Sequence, residues 1–396
     1  MDSINVDNLL MQTDSSGMTD IADLVVPPGL KGVPVADTTI GDVRGAEGYY
    51  HYREHSALDL VERCTLEQVW WLMLTGALPD EAQDEAFRAE LAPLRVLDEQ
   101  TLELIDREAR TGVEGAPLAQ LRTVLSHLAT GAHPTYGATP AQVRADALRL
   151  AAATPTILAA LHRRRAGLPV LDPDPALSAA GNWLWLVRGE RPGEPEERAI
   201  NRYLVATVDH GFNNSTFAAR VVASSGADVG SAMCAALGAF AGPLHGGAPD
   251  RALDALDEIG AVDRAQAWVR ERVEAGDRIM GFGHAVYTTH DPRAEMLKAE
   301  ALRLGGPLAD LAVAVEQVVE ETLAELKPGR QLYANVEYYA GVVMEQCGIP
   351  RSMFTPTFAV SRVIGWSAHI LEQAATTKIY RPAARYVGPP VRRPHP

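Results

Sequence analysis

Cysteine is scarce in this chain and what there is of it is isolated: Cys64, Cys234 and Cys347 are the only three. None belongs to a Cys-x-x-Cys pair, which excludes a disulfide framework and a zinc knuckle and fits buried free thiols in a reducing cytoplasm. Positive charge is also in deficit. The 36 Lys and Arg face 51 Asp and Glu, a formal net charge of −15, so duplex nucleic acid and anionic membrane would both be repelled. A small anionic substrate would be repelled too, unless particular arginines focus it locally. No apolar run reaches membrane-spanning length. The start, Met1-Asp-Ser-Ile-Asn, is acidic where a secretory signal would be basic. No repeat of fixed period occurs, so a solenoid is not expected.

What is present is ordinary globular composition, 47% hydrophobic and 22% charged over 396 residues, enough for two domains or one large domain with a smaller lobe. Residues 1–24 are polar and weakly patterned and the segment 1–29 is expected to be flexible, with Met18 as a second possible start. Residues 30–53 are the one convincing β region: Val33 and Val35 alternate with polar neighbours, Gly41, Gly45 and Gly48 punctuate, and Tyr49-Tyr-His-Tyr-Arg53 is aromatic-rich. This pattern predicts a small antiparallel meander.

Beyond it the periodicity is helical. Thr65-Leu-Glu-Gln68 is a capping box ahead of Val69–Leu74, and Gly76 and Pro79 stop that helix. Further helices are predicted over 80–91, 98–109, 117–130 and 140–166, the last broken at Pro155. Asp172–Pro175 is a turn, 175–188 a Trp-bearing helix and Arg191–Pro195 an exposed loop before 196–209. The Ala- and Gly-rich helices 215–225 and 228–240 suit close packing in a core. Helices over 250–259, 263–275, 292–304, 307–326, 335–347 and 355–373 follow, and the Pro- and Arg-rich tail 389–396 is expected to fray. The fold class is mainly α with a small N-terminal antiparallel β region. Trp70, Trp71, Trp183 and Trp185 lie at helical core spacing and suit packing.

Two histidines stand in glycine-rich breaks between helices: His245 in Gly242-Pro-Leu-His-Gly-Gly247 and His284 in Gly281-Phe-Gly-His284. Glycine lets backbone approach a bound molecule closely, and a His displayed there is not committed to a helix face. Asn335-Val-Glu337 adds a carboxylate in the same kind of setting. Two imidazoles and a carboxylate converging on a cleft would form an acid/base set. Taken singly, each has a plainer reading as a polar helix-end residue. His51, His55, His127, His133, His162, His290 and His369 have no comparable setting and read as surface or core residues.

Taken in order, Gly242-Pro-Leu-His245-Gly, Gly281-Phe-Gly-His284-Ala-Val-Tyr, Asp291-Pro-Arg293, Asn335-Val-Glu337, Ser361-Arg362 and Tyr380-Arg381-Pro382 resemble the citrate synthase family, with Ala36–Ile40 and Tyr52-Arg53 also fitting. The resemblance runs from about residue 30 to 388 and is closest to the shorter bacterial type, which includes 2-methylcitrate synthases. It implies a two-domain helical fold, with a large domain of 30–240 and 348–388 and a small domain of 241–347 that closes over the substrates. It also implies a homodimer and a condensation of acetyl-CoA with oxaloacetate followed by thioester hydrolysis, with no metal or prosthetic group. By the same resemblance Glu337 is the base, His245 donates to the thioester oxygen and His284 polarises the oxaloacetate carbonyl. His210, Arg293, Arg362 and Arg381 bind oxaloacetate, the last reaching the site from the partner subunit, and Arg278, Ile279, Met280, Gly281, Phe282 and Gly283 contact CoA.

The chain departs from the family pattern at two places. Glu337 stands where Asp is usual, which shifts the carboxylate by roughly 1 Å, a displacement worth about a hundredfold in rate when uncompensated. Gly211 follows His210 where many relatives carry an acid. Two other functions stay open at this point: a 2-methylcitrate synthase using propionyl-CoA, and a catalytically silent helical dimer serving as a binding module.

Overall fold

The computed structural model describes residues 26–111, 117–243, 245, 249–284, 286–376 and 378–390. Among them are sixteen α-helices and one three-stranded antiparallel sheet, so the mainly-α class holds. Most of the segment expected to be flexible at 1–29, and the tail from 391, lie outside the described residues. The chain divides into two compact units. One spans Thr39–Lys378; the other comprises the described residues up to Thr38 and from Ile379 onward, where Pro28–Leu30 forms a single 3₁₀ turn. Among the described residues no helix is long and apolar enough to cross a membrane.

The sheet occupies less of the chain than the sequence suggests. Its strands are Gly41–Arg44, Tyr49–Tyr52 and His55–Ser56, with Gly41 paired to Tyr52 and Arg44 to Tyr49. Val33 and Val35 lie outside it, because Pro34 between them has no N–H to give a ladder. The Tyr50 and Tyr52 side chains share the buried face, and their hydroxyls donate to the carbonyls of Ala206 and Val205, each at 3.0 Å. The meander is thereby tied to the end of the Glu194–Thr207 helix. At the hairpin, a Cβ on Gly45 would come within 2.2 Å of the Val286 carbonyl oxygen, and Thr288 N–H donates to the Gly45 carbonyl at 3.2 Å. Only glycine permits that contact, which presses the hairpin onto the loop after His284.

Helix starts follow their caps. Thr65 and Gln68 form the expected capping box, at 3.3 and 3.0 Å. The Trp-bearing helix begins later than its periodicity implies, at Ala179, because the Ser178 hydroxyl caps Gly181 N–H at 3.0 Å. The next begins earlier, at Glu194, with Pro195 in the first turn where its missing N–H costs nothing. Pro155 does not break its helix, which runs unbroken over Pro140–Arg165. The Thr154 hydroxyl donates back to the Leu150 carbonyl at 2.8 Å, and burial of nearly every residue from Ala147 to Leu161 holds the segment helical against its neighbours. The three cysteines are free; Cys347 is buried and Cys64 and Cys234 only partly so.

The core is organised around the Phe354–Ala374 helix, which is buried on all sides from Pro356 to Ile370. It packs against Pro140–Arg165, Asn214–Ser224 and Val229–Phe240, and the last two, rich in small residues, pack closely on each other. Trp183 is fully buried, with Nε1 donating to Thr357 at 3.1 Å. At Gly365 an added Cβ would lie 2.2 Å from the Val208 carbonyl oxygen. That approach sets Arg362 and His369, on either side of Gly365, against the turn that carries His210. Gly365→Ala should therefore lower the unfolding free energy by roughly 1–3 kcal/mol, the cost of overpacking. Gly193→Ala, whose added Cβ meets nothing nearer than 3.7 Å, should cost no more than about 1 kcal/mol in the same urea titration, the preference for glycine over alanine at a helix N-cap.

Candidate active site

The site begins with an ion pair. Asp291 caps the Pro292–Leu304 helix by accepting Arg293 N–H at 3.0 Å. It also takes the Arg293 guanidinium at both oxygens, 3.0 and 2.8 Å, and accepts Val336 N–H, the first of the Val336–Gln346 helix, at 3.2 Å. Each residue is about 2% exposed. Burial would push the Asp291 carboxyl up, but the adjoining guanidinium holds it below the usual carboxylate range. Burial likewise opposes the Arg293 charge, and Asp291 more than restores it.

His284 is fixed from this pair and its own loop. Val286 and Tyr287 N–H groups donate to Nδ1 at 2.9 and 3.0 Å, so that nitrogen carries no proton and the neutral ring presents Nε2–H. Arg293 Nη2 lies 3.3 Å from Nε2. Two donors thus face one spot, an arrangement that an acceptor oxygen would satisfy. The ring titrates near 4, pushed down by burial and then by Arg293.

His245 sits in the break between the Val229–Phe240 and Pro249–Ile259 helices, its N–H on the Gly242 carbonyl at 2.9 Å. The helix N-terminus facing it belongs to another element, Asn214–Ser224. Ser215 N–H and hydroxyl approach Nε2 at 3.3 and 2.8 Å, leaving the ring proton on Nδ1. Trp366 Nε1 donates to the Ser215 oxygen at 3.2 Å, and the Phe240 edge closes one side at 5.5 Å. Burial and then Arg362 push this ring down to about 4.

His210 stands 5.6 Å from His284, ring to ring, with Nε2 at 3.0 Å from the Tyr287 hydroxyl. Gly211 beside it has φ +62, donates to Asp209 at 3.1 Å, and would press an added Cβ to 3.2 Å from Val43. The backbone there lies in the left-handed region that favours glycine, and the close Val43 side chain adds to that preference. Burial, Arg293, His284 and Arg362 together hold His210 well below the usual imidazole range. Arg362 is 2% exposed. Its Nε donates to the Thr207 carbonyl at 3.0 Å and its plane lies 4.6 Å over Phe358. Among the described residues no carboxylate lies within ion-pair distance of it, and burial lowers its basicity.

Glu337 is the second residue of its helix. Asn335 accepts Glu337 N–H at 3.0 Å and donates to the Gly283 carbonyl at 2.9 Å, which locks the carboxylate's turn to the glycine loop before His284. The Glu337 carboxylate makes no hydrogen bond or ion pair among the described residues. Burial pushes it up to about 7, Arg293 only partly opposing.

In the loop before His284, Ile279 is buried and Arg278 exposed; Gly281 and Gly283 pair with Asn335 and Tyr333, and Phe282 packs on Tyr338 at 4.9 Å. His210, His245, His284, Arg293, Glu337 and Arg362 thus fall within one electrostatic neighbourhood of the 39–378 unit. Arg381 is exposed and belongs to the other unit. No cluster of His, Cys, Asp or Glu among the described residues is arranged to hold a metal.

The sequence matches the family model described as citrate synthase, C-terminal domain, over residues 29–383. The chain belongs to the citrate synthase family. It is 36% identical to a citrate synthase of Haloferax volcanii over 91% of this chain and 95% of that one. It is equally 36% identical to a 2-methylcitrate synthase of Mycobacterium tuberculosis, over 92% and 91%. A citrate synthase of Thermoplasma acidophilum, solved as a ternary complex with carboxymethyl coenzyme A and oxaloacetate, superposes with TM-score 0.85 at 28% identity, covering 93% of this chain and 98% of that one. The protein is thus an enzyme of the acyltransferase, condensing type.

Some contacts of this citrate synthase family site escape sequence reasoning. Ser215 and Tyr287 fix the ring protons, and Tyr50 packs 5.5 Å from the His210 ring. His369 is a core residue, as its sequence setting suggested, and its contacts were not legible there: it is buried with Nε2 at 3.2 Å from Asp209 and Nδ1 at 3.3 Å from Arg220.

Asp291→Asn would leave the Arg293 charge buried without its counterion and should cost about 3–5 kcal/mol of stability by urea unfolding; a loss under about 1 kcal/mol would show the pair to be replaceable. Stability should also depend on pH with a definite sign. Between about pH 6.5 and 4 the unfolded chain binds more protons at His245 and His284, so these rings contribute stability that is lost on acidification. Glu337 acts oppositely: between about pH 4.5 and 7 the folded carboxyl keeps a proton that the unfolded one has released. Glu337→Gln removes that opposing contribution, so its unfolding free energy should fall more steeply than the wild type's from about pH 7 to about pH 5; parallel slopes would contradict the raised Glu337 titration.

Proposed function

We propose that the protein is a citrate synthase that condenses acetyl-CoA with oxaloacetate and hydrolyses the citryl thioester to citrate and CoA. The observation that carries this reading is a buried carboxylate at Glu337, without a hydrogen-bond partner among the described residues and pushed up to about 7, together with two neutral imidazoles whose ring protons are fixed by backbone donors. The methyl protons of a thioester are barely acidic. A carboxylate removes one only if the developing enolate oxygen is stabilised as it forms, and a base titrating near 7 is suited to neutral pH.

Glu337 takes the proton, and His245 Nδ1–H stabilises the enolate oxygen. Nucleophilic attack by the enolate carbon on the oxaloacetate carbonyl forms the new carbon–carbon bond, with His284 Nε2–H stabilising the oxygen that becomes the alkoxide. Arg293 and Arg362 supply fork-like donors to the two carboxylates of oxaloacetate. His210 adds a neutral donor, and Arg381 of the partner subunit completes the set in a homodimer. A small domain of 241–347 closing on the remainder would exclude water, with the 278–283 loop against CoA. The chemistry calls for no metal or prosthetic group, since every charge that develops has a protein donor.

Thiol release from acetyl-CoA on adding oxaloacetate tests the reading. Glu337→Gln and His284→Ala should each slow release by about 10²–10⁴-fold with the fold intact. The wild-type kcat/KM should fall as pH drops below about 7, when Glu337 takes up its proton. Faster turnover of propionyl-CoA than of acetyl-CoA would move the assignment to 2-methylcitrate synthase, and no release with either would favour a silent binding module.

A further inference from the structure

Tyr287 lies three residues past His284 and is 4% exposed. Its backbone N–H holds His284 Nδ1 at 3.0 Å, and its hydroxyl lies 3.0 Å from His210 Nε2. That hydroxyl has no other hydrogen-bond partner among the described residues. A phenol can give a proton or accept one; with Nε2 the one described acceptor at its hydroxyl, giving the proton there leaves neither the phenol proton nor the Nε2 lone pair without a partner. A neutral imidazole that accepts at Nε2 carries its own proton on Nδ1. No described residue bonds His210 Nδ1, so that N–H is left for a ligand. The opposite tautomer would turn a lone pair toward any anion drawn in by Arg293 and Arg362. The phenol ring cannot readily swing away, being clamped with the Arg293 guanidinium 5.7 Å from its centre and the His284 ring at 4.8 Å.

We propose that Tyr287 is the positioning residue that selects the tautomer of His210, so that His210 presents Nδ1–H to an oxygen of the dianionic keto acid; this rests on the reading of the site as the oxaloacetate site. One residue thereby sets both histidines. Its amide keeps the His284 proton on Nε2, and its hydroxyl keeps the His210 proton on Nδ1.

Tyr287→Phe keeps the ring, the packing and the backbone donor and removes only the hydroxyl. The KM for oxaloacetate should rise about five- to tenfold, the worth of one hydrogen bond, with a smaller change in kcat. His210→Asn keeps an N–H donor near the Nδ1 position but gives Tyr287 no nitrogen to hold. In that background, adding Tyr287→Phe should change the oxaloacetate KM by less than about twofold. If His210→Asn turns over too slowly to assay, calorimetric titration with oxaloacetate supplies the same four-way comparison. An unchanged KM in Tyr287→Phe, or an equal rise in both backgrounds, would reduce Tyr287 to packing and overturn the proposal while the wild type still turns over. A wild type that neither binds oxaloacetate nor releases thiol would instead sink the functional reading, and this proposal with it.

Discussion

The buried Asp291–Arg293 pair is the interaction on which the site depends. One carboxylate serves two helix N-termini and a guanidinium at once, so the starts of the Pro292–Leu304 and Val336–Gln346 helices are held in a common frame. Arg293 faces His284 from that frame, and Glu337 extends from its other helix. Burying two charges costs several kcal/mol per ion unless geometry and further hydrogen bonds compensate; here two-pronged contact and two backbone donors provide them. The pair therefore does more than stabilise. It makes the positions of a cation, an imidazole and a carboxylate consequences of a single anchor.

The second constraint is electrostatic. A chain of net charge −15 has to offer a local positive field, and it does so with guanidiniums alone. The three histidines are driven neutral by burial and by those same arginines. This division has a chemical reason. An imidazole kept neutral can donate a hydrogen bond to a developing oxyanion without first losing a proton to solvent, while arginine keeps its charge under any burial found here. Arg362 is the member with no ion-pair partner among the described residues; the Thr207 carbonyl and Phe358 ring hold it in place, and the Asp209 charge opposes the effect of burial from beyond ion-pair distance.

Much of this was legible because the signals are local. Capping residues such as Thr65 and Gln68 act within four positions, and glycine brackets around His245 and His284 mark breaks wherever they occur. Asn335-Val-Glu337 could be read as a unit because its first residue caps the helix that displays its last. What escaped depends on distance along the chain. The Ser215–His245 contact joins residues thirty apart, and the His369–Asp209 contact joins residues 160 apart; neither leaves a periodic trace. Pro155 misled for a related reason: a local rule against proline gave way to burial along the whole segment. Tyr287 was in plain view within a motif, but its hydroxyl gains meaning only once His210 is folded against it.

Glu337 gathers these threads. A carboxylate near Arg293 would ordinarily be held acidic, and its attraction to that guanidinium does lower the Glu337 titration. Yet Asp291 has already taken the guanidinium at both oxygens, and its own negative charge acts on Glu337 in the opposite sense. The anchor that positions Glu337 thus also offsets part of the positive field that would have weakened it as a base. Burial is then left to decide, and it pushes the group up to about 7. The pair beneath this side chain supplies both of the charges that act on it. What the added methylene changes is reach, and reach is governed by the Asn335 cap, whose bonds to Glu337 N–H and to the Gly283 carbonyl fix the start of the helix against the loop that carries His284.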